Sequence, residues 1–242
     1  SAGLSHTAAI QTDGTLWAWG RKGYKLGLGD DTTNIYSPLQ VGIDTNWKQA
    51  AAGPEHRLAL KADGTLWAWG DNSAGQLGLG DTISRTSPTQ IGADTNWKQV
   101  SCGAFHTLAI KTDGTLWTWG WSVDGQLGLG DTLSRTSPTQ VGAGTNWKQV
   151  SCGVVHTTAL KTDGTLWAWG GNYYGELGLG DIISRTSPTQ VGTSTNWKDI
   201  VCGDTHTVAL KTDGTLWAWG YNVRGQLGLG YNSDMHSPAQ VG

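Results

Sequence analysis

At 242 residues the chain is long enough for one domain or one repeat array, and it can bury a core without disulfides or metals. Its 37 glycines and 15 tryptophans stand against only two glutamates, Glu55 and Glu176, which excludes a helical protein. A net charge of −3, 14% charged residues and cations spread without a run exclude a nucleic-acid footprint and a highly charged disordered chain. No apolar stretch approaches the roughly 18 residues of a membrane span, and no signal peptide is visible. The chain begins at Ser1, as expected if a preceding piece was removed or left out.

The sequence repeats with a period of 50. TDGTLWAWG begins at Thr12, Thr162 and Thr212, ADGTLWAWG at Ala62 and TDGTLWTWG at Thr112. Asn-Trp-Lys recurs at Asn46, Asn96, Asn146 and Asn196, and Ser-Pro at Ser37, Ser87, Ser137, Ser187 and Ser237. The units are 1–50, 51–100, 101–150, 151–200 and 201–242, one repeat domain over the whole chain. The fifth unit lacks its Thr-Asn-Trp-Lys segment.

In chain order, the third unit predicts four strands. Trp97–Cys102 is the first and ends in small residues. His106–Lys111 is the second. Asp113-Gly114 then turns the chain, read as a type I′ hairpin because glycine tolerates positive φ. Thr115–Trp119 alternates as the third strand. Ser137–Val141, with Pro138, is an edge-like fourth. Four antiparallel strands recurring every 50 residues predict an all-β propeller of five four-stranded blades without regular helix. The strand that would precede Ser1 is missing. Its equivalents end in small residues suited to a crowded axis, so the ring is expected to lack one innermost strand, filled by further chain or by strand donation from another chain.

Gly103–Asp131, followed by Ser-Pro-Thr-Gln-Val, resembles the repeat of the regulator of chromosome condensation family, in its tryptophan-rich bacterial form. The resemblance rests on G-x-x-H-T, D-G-x-x-x-x-W-G and G-Q-L-G-L-G-D together, in order, in copy after copy. It implies a propeller, usually of seven blades, where this chain has five. It implies no counterpart of the wedge that the founding member uses against its small GTPase, since no long insertion is present.

Columns that repeat unchanged have structural jobs. Trp17 and Trp19, with their equivalents in every unit, share one sheet face as filler. A light-sensing tryptophan cluster, as in the family's plant ultraviolet-B photoreceptor, is the alternative not taken. His6, His56, His106, His156 and His206 form a ring without a second ligand at metal spacing, and are expected to bond the backbone of the next blade. Cys102, Cys152 and Cys202 stand where Ala2 and Ala52 stand elsewhere, so three free thiols filling small spaces are expected. No cofactor or metal is expected, and no nucleophile–base or carboxylate pair marks an enzyme.

Two columns vary. One is the pair before the histidine: Leu4-Ser5, Pro54-Glu55, Ala104-Phe105, Val154-Val155 and Asp204-Thr205. The other is the four residues after Trp-Gly: Arg21–Tyr24 (with Lys22), Asp71–Ala74, Trp121–Asp124, Gly171–Tyr174 and Tyr221–Arg224. An antiparallel meander brings both connections to one end of the blade. Tyr24, Phe105, Trp121, Tyr173, Tyr174, Tyr221 and Arg224 therefore predict a recognition rim. Three functions remain: a binding scaffold for a protein or surface ligand, like the family's secreted bacterial propeller that inhibits β-lactamases through an aromatic face; a lectin-like glycan binder; and a GTPase exchange factor. The first carries an expectation of a secreted or cell-surface bacterial setting. In the end units Ile35, Tyr36, Tyr231 and Met235 replace polar columns, while Asp30 is retained. If the ring closes, these four meet in an apolar patch for self-association.

Overall fold

The computed structural model describes residues 1, 3, 5–21, 23–29 and 33–242. Ala2, Leu4, Lys22 and Asp30, used in the column comparisons, lie outside the described residues. The rest forms five consecutive antiparallel sheets. Blade 1 holds β1 (His6–Ile10), β2 (Leu16–Gly20) and β3 (Ile35–Gln40). Blade 2 holds β4 (Trp47–Ala52), β5 (His56–Lys61), β6 (Leu66–Gly70) and β7 (Arg85–Gln90). Blade 3 holds β8 (Trp97–Cys102), β9 (His106–Lys111), β10 (Leu116–Gly120) and β11 (Arg135–Gln140). Blade 4 holds β12 (Trp147–Cys152), β13 (His156–Lys161), β14 (Leu166–Gly170) and β15 (Arg185–Gln190). Blade 5 holds β16 (Trp197–Cys202), β17 (His206–Lys211), β18 (Leu216–Gly220) and β19 (Met235–Gln240). The only helical segment among the described residues is a 3-10 turn at Tyr24–Leu26.

Among the described residues blade 1 has three strands, and the amine and carbonyl of Ser1 bridge Ala8 at 3.0 and 2.9 Å. The fourth strand of blade 3 begins at Arg135, two residues before the expected Ser137. A bulge between Thr118 and Gly120 slips the register, so that Gly120 faces Arg135 while Thr118 faces Thr139.

The Asp-Gly turns are not type I′. Among the described residues none other than glycine has positive φ, so Asp63 keeps a negative φ and Gly64, at φ 81°, is the left-handed residue of the turn. Gly64 N donates to Lys61 O, and Lys61 N to Thr65 O, both at 3.0 Å. This is the three-residue hairpin with a glycine bulge. The Asp63 carboxylate selects it by accepting from the Thr65 amide at 2.9 Å and hydroxyl at 2.7 Å.

Each of blades 1 to 4 packs its Leu/Ala face on the tryptophan face of the next. At the junction of blades 2 and 3, Leu58, Leu60, Leu66, Ala68 and Leu77 meet Trp97, Ala109 and Trp119. Trp69, Trp119, Trp169 and Trp219 are fully buried. One carbonyl anchors each such junction. Gln76 O accepts from Thr107 Oγ1 and Trp119 Nε1, both at 2.9 Å. Thr107 also meets His56 Nε2 at 3.2 Å. The same set recurs at Gln126 O with Thr157 and Trp169, and at Glu176 O with Thr207 and Trp219. His56, His106 and His156 thus bond the next blade's threonine hydroxyl, not its backbone, because that hydroxyl stands between ring and carbonyl. Gly78 (φ 72°) allows the fit, since a Cβ there would lie 2.7 Å from Trp119 Nε1.

The blade 1–2 junction departs. Arg57 replaces the threonine and gives its Nε to Lys25 O at 2.7 Å. His6 and the two terminal nitrogens of Arg57 are buried without a partner. Burial holds the Arg57 guanidinium down to about 10 and the His6 ring down to about 3.

Among the described residues, no strand of blade 1 packs on a strand of blade 5. Leu216 is 40% exposed, where Leu66, Leu116 and Leu166 are fully buried. Gly225 and Gly230 face open space, where Gly125 and Gly130 touch the next blade. The four end-unit residues therefore do not form the expected common patch. Ile35 joins the blade 1 core, and Met235 the blade 4–5 core. Tyr36 is exposed on β3, and the Tyr231 hydroxyl lies 3.4 Å from the Met235 sulfur.

Around the axis, the ends of the inner strands line a channel of about 350 Å³ with Ala52, Gly53, Cys102, Gly103, Cys152 and Cys202. The three cysteines are free. Burial pushes the Cys102 thiol up to about 12.

Candidate binding rim

The two variable connections meet at one end of every blade, held by a backbone bond. Trp121 N donates to Phe105 O, Gly171 N to Val155 O and Tyr221 N to Thr205 O, at 2.8–2.9 Å. The Asp-Gly turns lie at the opposite end, where Gly64 O accepts from Trp97 N.

A buried asparagine makes the long connection rigid. Asn72 Nδ2 donates to Asp81 O at 3.0 Å and Ile83 O at 3.2 Å, and its Oδ1 accepts from Leu77 N. Asn172 and Asn222 repeat this. These residues fall in a varied column yet are structural; their recurrence in three copies is the signal that separates them from the rim.

Tyr24, Phe105, Trp121, Tyr173, Tyr174 and Arg224 are exposed, and Tyr221 is half-buried. The Tyr174 and Tyr221 rings meet edge to face at 4.7 Å between blades 4 and 5. The Tyr173 hydroxyl donates to the Asp124 carboxylate across blades 4 and 3, which raises the Tyr173 hydroxyl above its ordinary range. Phe105 and Trp121 are backbone neighbours on blade 3, and Tyr24 sits apart on blade 1. Arg224, Tyr221, Asp204 and His206 line a further recess on blade 5.

Two groups on this rim were not singled out from the sequence. Ile83, Leu133, Ile182 and Ile183 are exposed on the outer part of the long connections. The recurrence of Ile or Leu two residues before the arginine was the available signal. The second group is acidic: Asp124, Glu176, Asp204 and Asp234 lie on the connections of blades 3 to 5. Burial raises the Glu176 carboxyl above its ordinary value.

Rigid loops over stacked tryptophan-rich sheets define the class, a repeat propeller that presents one varied rim. The sequence matches the RCC1-like domain over residues 1–242, and the chain belongs to that family. No curated protein matches it. Among solved structures, human WBSCR16 is 27% identical with a TM-score of 0.86, over 99% of this chain and 65% of that one. Yeast RCC1 (Prp20) in complex with Kap60 is 25% identical, TM-score 0.85, over 98% and 59%. Prp20p from Saccharomyces cerevisiae is 24% identical, TM-score 0.85, over 98% and 61%. The chain spans less than two thirds of each of these structures.

Proposed function

We propose that the chain is a non-enzymatic scaffold that binds a protein partner on the varied rim of blades 3 to 5. The observation that carries this is the set of exposed aromatic side chains on loops held by backbone bonds and, in blades 4 and 5, by buried asparagines. A fixed platform with large rigid side chains is what a protein contact needs. Within the family, yeast RCC1 has been solved bound to Kap60, and the Prp20p structure was described with binding to Gsp1p and histones. Those partners belong to those proteins, and what supports the reading here is a shared scaffold able to present loops. The residues differ from blade to blade, which argues against one glycan site per blade.

The test is affinity capture by the intact chain and by a Trp121→Ala, Tyr173→Ala, Tyr174→Ala variant. Capture should be lost in the variant with little change in melting temperature. Lys98→Ala with Lys148→Ala, on the opposite rim, should capture normally. Stronger loss from the lysine pair would move the face to the Asp-Gly side. The Prp20p link to Gsp1p favours a second reading, exchange-factor activity. It would appear as faster nucleotide release from a small GTPase in the presence of the chain.

A further inference from the structure

We propose that the tyrosine-lined rim of blades 3 to 5 receives a lysine- or arginine-bearing segment of its partner, an inference that rests on this rim being the binding face.

The first observation is an unpartnered carboxylate oxygen. Gln76, Gln126 and Gln226 occupy one column, and each amide oxygen accepts a loop N–H, from Ala74, Asp124 and Arg224. The Gln76 amide nitrogen then donates to the Asp71 carboxylate at 2.6 Å. In blade 4 this column holds Glu176, whose Oε2 takes the Tyr174 N–H at 2.7 Å. Its Oε1 has no partner, in a side chain with no exposed surface. By the Gln76 geometry this second oxygen is turned toward position 171, where glycine replaces the aspartate. The side chains nearest the open side of that glycine are Val155 and the exposed Tyr173. A buried, half-satisfied carboxylate is costly, and glutamine would fit the same column without that cost.

The second observation is local charge. The connections of blades 3 to 5 carry Asp124, Glu176, Asp204 and Asp234, and among the described residues Arg224 is the arginine there outside an ion pair. Arg135 and Arg185 are committed to Asp131 and Asp181, at 2.7 and 2.6 Å.

The third is a precedent inside the chain. On the Asp-Gly side, Lys111 Nζ lies 4.1 Å over the Trp117 ring and 4.7 Å from the Trp97 ring, with Asp94 at 2.8 Å. Aromatic faces plus a carboxylate therefore hold an ammonium in this scaffold. In blades 3 to 5 the varied rim offers the same ingredients, Tyr173, Tyr174 and Tyr221 with Asp124 and Glu176, and its connections there carry no lysine.

The test is calorimetric titration at low salt with three blocked tetrapeptides: tetralysine, its acetyl-lysine analogue and tetraglutamate. Tetralysine should bind and the other two should not. Glu176→Gln, Asp124→Asn and the Tyr174→Ala, Tyr221→Ala pair should each weaken it about tenfold or more. Glutamine is already the residue at this position in three copies, so Glu176→Gln keeps the fold, and circular dichroism checks the others. Equal binding of tetraglutamate, no binding of tetralysine, or unchanged affinity in both Glu176→Gln and Asp124→Asn overturns the proposal. If capture still depends on Trp121, Tyr173 and Tyr174 while tetralysine does not bind, the cationic inference alone fails. If capture is also unaffected, the binding face is wrong.

Discussion

The junction of blades 1 and 2 and that of blades 2 and 3 share a backbone and differ in chemistry. At the second, Thr107 joins His56 Nε2 to Gln76 O, and His56 Nδ1 is the ring atom left without a partner. At the first, Arg57 keeps the bond to the equivalent carbonyl, Lys25 O, but leaves His6 unbonded and its own guanidinium half-satisfied. Lys25, in turn, needs Glu55 at 2.6 Å to neutralise it. The comparison teaches that the main-chain acceptor is what each junction requires, and that the groups around it set how well buried polarity is satisfied.

The largest test removes the donor common to all junctions. Trp119→Ala should cost about 4 kcal/mol, since it empties a packed site and takes one donor from Gln76 O. Trp19→Ala, on the uncovered face of blade 1, should cost about 1 kcal/mol or less. Urea midpoints decide it, and equal costs would break the distinction between covered and open faces.

Acid provides the next test. Burial holds His106 and His156 down to about 3. Below the ordinary value of 6.5 the unfolded chain binds protons that the fold refuses. Stability is therefore full above pH 6.5 and is lost as pH falls toward 3, by about 1.4 kcal/mol per pH unit for each such histidine. Urea unfolding at pH 7, 5.5 and 4 should show that slope.

Arg57→Thr should sharpen the comparison by making the first junction like the others. The new hydroxyl reaches His6, a buried cation disappears, and stability should rise by about 1 kcal/mol. A fall would show that packing of the arginine stem outweighs its unpaired nitrogens.

Glu176→Gln is the smallest and depends on pH. The folded carboxyl titrates above its ordinary value, so the folded state holds its proton to higher pH than the unfolded chain. Stability falls as pH rises through that window and remains lower at pH 7. Glutamine should therefore gain about 1 kcal/mol at pH 7 and almost nothing at pH 4. Equal gains at both would remove the ionised carboxylate as the cause.

Much of the fold was legible because a period of 50 repeats every constraint several times. The strands, the buried tryptophans and the free cysteines all follow from columns. The turn type was not legible from Asp-Gly alone, because the Asp63 carboxylate selects the conformation through Thr65. An incomplete ring was legible from the strand missing ahead of Ser1, but the absence of packing between blades 1 and 5 was not, because a repeat count says nothing about the angle between sheets. On the rim, aromatic residues stand out from variation. The free oxygen of Glu176 becomes visible only when its glutamine counterparts are placed in space.

The anchoring carbonyl has one more consequence. Because a main-chain atom accepts the donors of the next blade, the identity of the side chain at that position is not fixed by that bond. The copies show lysine, glutamine, glutamine, glutamate and glutamine there, covering all three charge states. Substitution can therefore retune the electrical character of one sector without remaking the frame beneath it. Such an array can acquire new specificity one blade at a time.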